Sequence, residues 1–133
     1  MARPSPKPDL GCPLEYGLAL FGSKWKARIL CVLGKHDFLR YSDLRRDMVN
    51  ITDAVLAHTL KELIAHGMVS REQFDEIPPR VEYRLTEKSR SVLPLLRSIC
   101  RWSSPYVKAA DPEGRGTLPH CLRCRHRYQA PLD

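Results

Sequence analysis

Five cysteines and five histidines are the residues of this chain with the widest chemical reach, and their spacing narrows what they can do. Cys12 stands directly before Pro13. Proline at the first position of a helix puts the preceding thiol at the N-cap, where backbone N–H groups and the helix dipole favour a thiolate. Such a thiol is a candidate sensor of oxidants or electrophiles; the alternative is an inert, partly buried cysteine. Cys121 and Cys124 form a lone C-x-x-C flanked by His120 and His126. As a zinc site it is cramped and lacks the long segment that usually separates two ligand pairs, so these two are weak metal candidates; a redox pair or a partner for Cys12 is a second use, and the absence of any role for the pair ranks ahead of both. Cys31 and Cys100 fall on apolar helix faces and read as small core hydrophobes. None of His36, His58, His66, His120 or His126 joins a serine or an acid in a nucleophile arrangement, and no glycine-rich phosphate loop precedes a helix. An enzyme is not expected, nor is a cofactor.

The charged residues point elsewhere. Lys and Arg number 22 against 15 Asp and Glu, a net +7 that favours a polyanionic partner without proving one. At 133 residues the chain is a single domain with a modest core, small enough that dimerisation would help bury its apolar surface. No apolar run is long enough for a signal peptide or a membrane span, so no membrane partner and a cytoplasmic location are expected. An odd number of cysteines without an export signal argues against a disulfide framework.

The element around which the rest is arranged is the stretch Asn50 to Gly67. Thr52 caps a helix whose apolar positions Val55, Leu56, Leu60, Leu63 and Ile64 share one face, and Gly67 supplies the left-handed residue that ends it. Ala54, Ala57, His58, Lys61 and Ala65 fall on the opposite side, a narrow face of small side chains with one cation and one imidazole. That face is either plain solvent surface or a shape that fits a groove.

Around it, residues 1–11 are a Pro-rich flexible lead-in, Leu14 to Phe21 a helix closed by Gly22, and Lys24 to Leu33 a helix capped by Ser23 and ended by Gly34. Phe38 to Tyr41 is a short strand, and Ser42 caps a third helix running to about Met48, with Leu44 inward and Arg45 and Arg46 near the surface. Two helices joined by the brief turn Val49 to Ile51 describe a helix-turn-helix. Met68 to Phe74 and Val81 to Leu85 alternate like two strands, and Pro78 and Pro79 between them stiffen a hairpin tip. The fold class expected is mainly α with a small β-hairpin wing, a winged helix-turn-helix. Thr86 caps a final helix with more apolar residues than one small core needs; they either complete the core or meet a second copy, with Leu96, Ile99 and Trp102 as anchors, and Pro94 is expected to bend it. The domain spans 12–110, and 111–133 is a flexible basic tail containing the Cys/His cluster.

Several separated stretches resemble the HxlR family of bacterial transcription regulators: Cys12-Pro13-Leu14-Glu15, Gly22-Ser23-Lys24-Trp25, Leu44-Arg45-Arg46, Val55-Leu56 with Leu60-Lys61-Glu62-Leu63, and Pro78 through Glu87. The match covers roughly residues 12–103. The resemblance implies a winged-helix domain, a homodimer built by the terminal helices, binding to an operator in double-stranded DNA, and, in some members, sensing of a small electrophile or oxidant through the cysteine matching Cys12. Repression is the expected sign. The acidic Asp53 departs from the polar helix start of many members and would repel phosphate unless it accepts from a cytosine amino group.

The DNA-contact candidates are therefore Ser42, Arg45, Arg46 and Thr52 beside the groove, Ala54, Ala57, His58 and Lys61 inside it, and Arg80 on the wing. Thr52 and Arg46 are expected on phosphate, while Arg80 is expected on a phosphate or the minor groove, with Asp75 and Glu76 staying out of that DNA contact. A winged-helix module that binds a protein through its basic surface or long helix is the other function class, and the cations of the third helix and Arg80 favour DNA.

Overall fold

The computed structural model describes residues 11–116 and residue 121. In chain order the elements are α1 (Pro13–Phe21), α2 (Lys24–Leu33), β1 (Leu39–Arg40), α3 (Tyr41–Asp47), α4 (Asp53–Ala65), β2 (Val69–Phe74), β3 (Arg80–Leu85) and α5 (Glu87–Ala110). Local chemistry sets most of the boundaries. Pro13 opens α1 with Cys12 at its N-cap. Ser23, Thr52 and Thr86 each accept a bond from a first-turn backbone N–H, and Thr86 forms a reciprocal box with Ser89. The end of α4 needs a residue that tolerates positive φ, and Gly67 has φ 71 there. Gly22 serves a different need: its φ is −77, but a Cβ would sit 2.4 Å from the Leu18 carbonyl oxygen.

The expected capping of α3 by Ser42 is corrected. Its N-cap is Arg40, because β1 pairs through Arg40 and the helix starts immediately after, leaving Ser42 inside the first turn. The wing is also more than a hairpin. β3 lies between β1 and β2 in a three-stranded antiparallel sheet, with Leu39 opposite Tyr83 and Val69 opposite Leu85.

One core unites these pieces: Ile29, Leu30 and Leu33 of α2, Leu44 and Met48 around α3, Leu56, Leu60 and Leu63 of α4, and Val69, Tyr83 and Leu85 of the sheet. On α4 the buried stripe is rotated from the expected one. Val55 is 37% exposed and Thr59 is buried instead, with its hydroxyl bonded to the Val55 carbonyl at 2.7 Å. A hydroxyl that finds its acceptor within its own helix can enter the core without a desolvation penalty, which hydropathy patterning does not register. Cys31 packs beside the core, whereas Cys100 is exposed on α5, contrary to its expected burial. α5 runs through both Pro94 and Pro105 as one helix.

Candidate nucleic-acid interface

α3, the turn 48–52 and α4 form the helix-turn-helix, and the turn is shaped by its own residues. Met48 and Ile51 anchor it in the core, while Asn50 between them takes φ 64, a left-handed conformation that asparagine tolerates better than most residues. α4 is then fixed at three heights. At its N-terminus the Thr52 hydroxyl accepts from the Val55 N–H at 3.2 Å, and the Asp53 carboxylate accepts from Arg45 Nε at 3.0 Å and from the Tyr41 hydroxyl at 3.2 Å. At mid-length Glu62 pairs with Lys26 of α2 at 3.0 Å, and Lys26 also donates to the Ala19 carbonyl of α1. At its C-terminus the carbonyls of His66 and Gly67 accept from Lys88 and Thr86 at the start of α5, at 3.0 and 2.6 Å. Those carbonyls have no partner within α4, so the bonds satisfy the helix end and fix α4 to α5.

The face left over is open. Ala54, Ala57, His58, Lys61 and Ala65 are all exposed, with Val55 beside them. His58 Nε2 lies 2.8 Å from Glu62, so its imidazole is oriented by the same carboxylate that binds Lys26. Lys61 makes no ion pair with any described residue, which leaves its ammonium available. Ser42 is exposed, and Thr52 spends its hydroxyl oxygen on the cap while remaining solvent-accessible.

The neighbouring cations are not equivalent. Arg46 is exposed and shared between Asp43 at 3.2 Å and Asp47 at 3.8 Å. Arg45 meets Asp53 through Nε alone, and neither of its Nη groups has a partner among the described residues. Asp53 is therefore not the bare repelling charge its sequence position implies. Sequence reasoning missed the Tyr41–Asp53–Arg45 cluster, because eight and twelve residues of separation across a turn carry no periodic signal. Burial pushes the Tyr41 phenol above its ordinary pKa, and the hydrogen bond and charge of Asp53 add to the shift.

In the wing, Arg80 is not an isolated cation. Its guanidinium lies 4.1 Å from the Phe74 ring centroid and pairs with Glu76 at 3.3 Å and Glu82 at 3.5 Å. Glu82 is nearly buried and also holds Arg84 at 2.9 Å. The physical reason is register: residues 80, 82 and 84 share one face of β3, so a glutamate between two arginines pairs with both. Ile77 at the tip is fully exposed.

Elsewhere, Leu14 and Leu18 of α1 and Leu95, Ile99, Trp102, Tyr106 and Val107 of α5 are exposed apolar residues. Leu96 is different. At 7% exposure it belongs to the chain's own core, which leaves Ile99 and Trp102 as the accessible members of the expected anchor set. Cys12 is half-buried at the start of α1, its carbonyl accepting from Tyr16 N–H, and Tyr16 in turn accepts from Lys88 of α5 at 2.9 Å. Among the described residues no three His, Cys, Asp or Glu side chains form a group able to hold a metal ion. Cys124, His120 and His126 lie outside the described residues. No helix among those described is long and apolar enough to cross a membrane.

The sequence profile of a family described as HxlR-like helix-turn-helix matches residues 20–111. An uncharacterized HTH-type transcriptional regulator of Methanothermobacter thermautotrophicus is 44% identical over 103 residues, covering 77% of this chain and 78% of that protein. Among solved structures, the redox regulator HypR in its reduced form is similar with TM-score 0.69 and 32% identity, over 76% of this chain and 99% of that one. The reduced form of the transcriptional regulator YodB from Bacillus subtilis is similar with TM-score 0.65 and 28% identity, over 76% and 96% respectively.

Proposed function

Because the chain belongs to the HxlR-like helix-turn-helix family of transcriptional regulators rather than to any enzyme family, we propose that it binds operator sites in double-stranded DNA as a homodimer, with α4 in the major groove. The observation that carries this reading is the contrast within α4. The helix is fixed at both ends and at its middle, yet Ala54, Ala57, His58 and Lys61 stay exposed and let the backbone approach base edges and thymine methyl groups. Ser42, Arg46 and Thr52 flank this face as phosphate contacts, and Arg80 is a secondary contact whose charge is already shared with Glu76 and Glu82. A polar face at this site would serve a protein partner as well; small side chains beside cations serve a polyanion in a groove.

Dimerisation is supported by the number of large apolar residues that α1 and α5 leave exposed, surface that a second copy would cover. Equilibrium binding to duplex DNA tests the whole reading. Affinity should fall steeply as salt rises, because bound cations release condensed counterions. Lys61→Ala should weaken operator binding more than random-sequence binding, and an Ile99→Ala, Trp102→Ala double variant should give monomer at low concentration. Salt-independent binding, or none to any duplex, would sink it.

Regulation is assigned to Cys12. Its place at the start of α1 and the likeness to a redox regulator support this. A peroxide would oxidise the thiolate to a sulfenic acid, and condensation with a second thiol, Cys121 or Cys124, would release water and form a disulfide. Through the Tyr16–Lys88 bond a displaced α1 would shift α5, and with it the separation of the two recognition helices. A Cys12→Ser variant should keep operator binding and lose its release by peroxide or quinone; unchanged release would remove the sensor role.

A further inference from the structure

Arg45, Arg46, Arg80 and Arg84 would be counted as equal by charge; their pairing separates them. Arg46 is held by Asp43 and Asp47, Arg80 by Glu76 and Glu82, and Arg84 by Glu72 and Glu82. In each of these, an acid occupies the Nη2 end of the guanidinium. Arg45 is held from behind: Asp53 Oδ1 accepts from its Nε at 3.0 Å, and the outward edge with its two Nη groups is unoccupied by any described residue.

The brace is itself braced. Asp53 Oδ1 accepts from the Tyr41 hydroxyl, and the Tyr41 ring packs against Tyr83 of β3 at a centroid distance of 6.5 Å. The carboxylate is thus tied to α3 at two points, Tyr41 and Arg45, while belonging to the first residue of α4. Residues at the N-terminus of a recognition helix are those that meet base edges. Arg45, although it belongs to α3, is delivered to that place by its bond to Asp53. A guanidinium fixed through Nε presents two parallel N–H donors in one plane, the pattern complementary to O6 and N7 of guanine.

We propose that Arg45 reads a guanine in the major groove of each half-site and that Asp53 is its positioning residue. This rests on the DNA-binding reading above and deepens it. The division of labour reverses the role that sequence assigned to Asp53. Its carboxylate neither repels the backbone nor needs a cytosine; it orients the cation and offsets its charge, so that Arg45 contributes to discrimination more than to general affinity. Arg45 would then differ from Arg46 in kind, the one reading a base and the other meeting phosphate.

The test begins with a 30-base-pair duplex pool of random sequence, from which the full-length protein selects its preferred site. The parent and the Arg45→Ala, Arg45→Lys and Asp53→Asn variants are then measured on that site, on the same site with each guanine replaced singly by 7-deazaguanine, and on an unselected duplex. For the parent, one 7-deazaguanine per half-site should cost roughly 10-fold in affinity, and Arg45→Lys, which keeps the charge but not the fork, should lose a similar factor on the selected site alone. Arg45→Ala, which keeps no donor, should then be insensitive to the same 7-deazaguanine. Asp53→Asn should fall between parent and Arg45→Lys, with an unchanged salt slope.

Equal losses by Arg45→Ala on selected and unselected duplexes, with a shallower salt slope, would overturn the proposal and make Arg45 a phosphate contact. A parent that tolerates 7-deazaguanine everywhere would overturn it too. Failure of the parent to enrich any sequence from a pool that it nonetheless binds removes base reading as a whole, and failure to bind the pool at all removes the DNA function itself. The side chains of both residues are partly or largely exposed, and circular dichroism and thermal unfolding of each variant check that the fold is kept.

Discussion

In the corner between α3 and α4, Asp53 holds Arg45 through Nε and leaves its outward edge open; in the wing, Glu82 sits between Arg80 and Arg84 while Glu76 and Glu72 engage them from outside. Both regions pair arginines with carboxylates. They differ in the burial of the carboxylate. Glu82 is 4% exposed and engages both wing arginines, so the wing lattice is part of the structure. The Asp53 side chain is 75% exposed, so the corner pair adds little to stability and serves to orient Arg45. A count of arginines measures neither property; which atom of the guanidinium is already engaged decides what it can still bind.

The largest expected effect lies in the wing. Glu82→Ala removes a buried carboxylate shared by two partly exposed arginines, which keep Glu76 and Glu72, so the loss should fall between the exposed-pair and buried-pair ranges, at about 2 kcal/mol. Thermal or urea unfolding measures it. A loss below about 1 kcal/mol, the scale of an exposed pair, would place wing and corner in one class and erase the contrast.

Next is the joint between the two regions. Gly67 links α4 to β2 at φ 71, and a Cβ there would meet nothing within 4 Å. Gly67→Ala should therefore cost only backbone strain, about 1–2 kcal/mol, read from the same unfolding curves. A neutral substitution would mean that the joint adapts and that α4 and the wing are less rigidly connected than their bonds to Thr86 and Lys88 imply.

Binding gives a third measure. Arg80→Ala should lower affinity for a selected duplex by only about 3-fold, less than Arg45→Ala, because its guanidinium already sits against Glu76 and Glu82; such a loss is about 0.6 kcal/mol, within the range of a screened surface contact. If Arg80→Ala proves the more damaging, the wing must release its ion pairs on DNA.

The smallest effect is a titration. Tyr41 ionises above its ordinary value because of burial first and Asp53 second. A raised phenol pKa favours the protonated folded state, so its contribution to stability is complete below about pH 10, the unfolded value, and is lost as pH rises through the folded one. Asp53→Asn should move the phenolate absorbance midpoint back toward the ordinary value, and an unmoved midpoint would leave burial as the whole cause.

Sequence alone determined the helices, their order and most of their limits. Pro13, Ser23, Thr52, Thr86 and Gly67 act on their immediate neighbours, through a fixed φ, a side-chain oxygen within reach of a first-turn N–H, or a missing Cβ. The open face of α4 was legible for the same reason, since the helix period puts Ala54, Ala57, His58 and Lys61 together whatever surrounds them. Tertiary structure decided the rest. That Leu96 enters the core while Ile99 and Trp102 of the same apolar pattern do not depends on how α5 packs against α2 and β3. That β1 becomes an edge strand beside β3, that Val55 is exposed and Thr59 buried, and that Asp53 belongs to Arg45 and Tyr41 depends on residues brought together only by the turn between α3 and α4 and by the closing of the sheet. Local rules reach three or four residues along a chain; the partner of a charge is chosen by the packing of elements, and no spacing in the sequence records it.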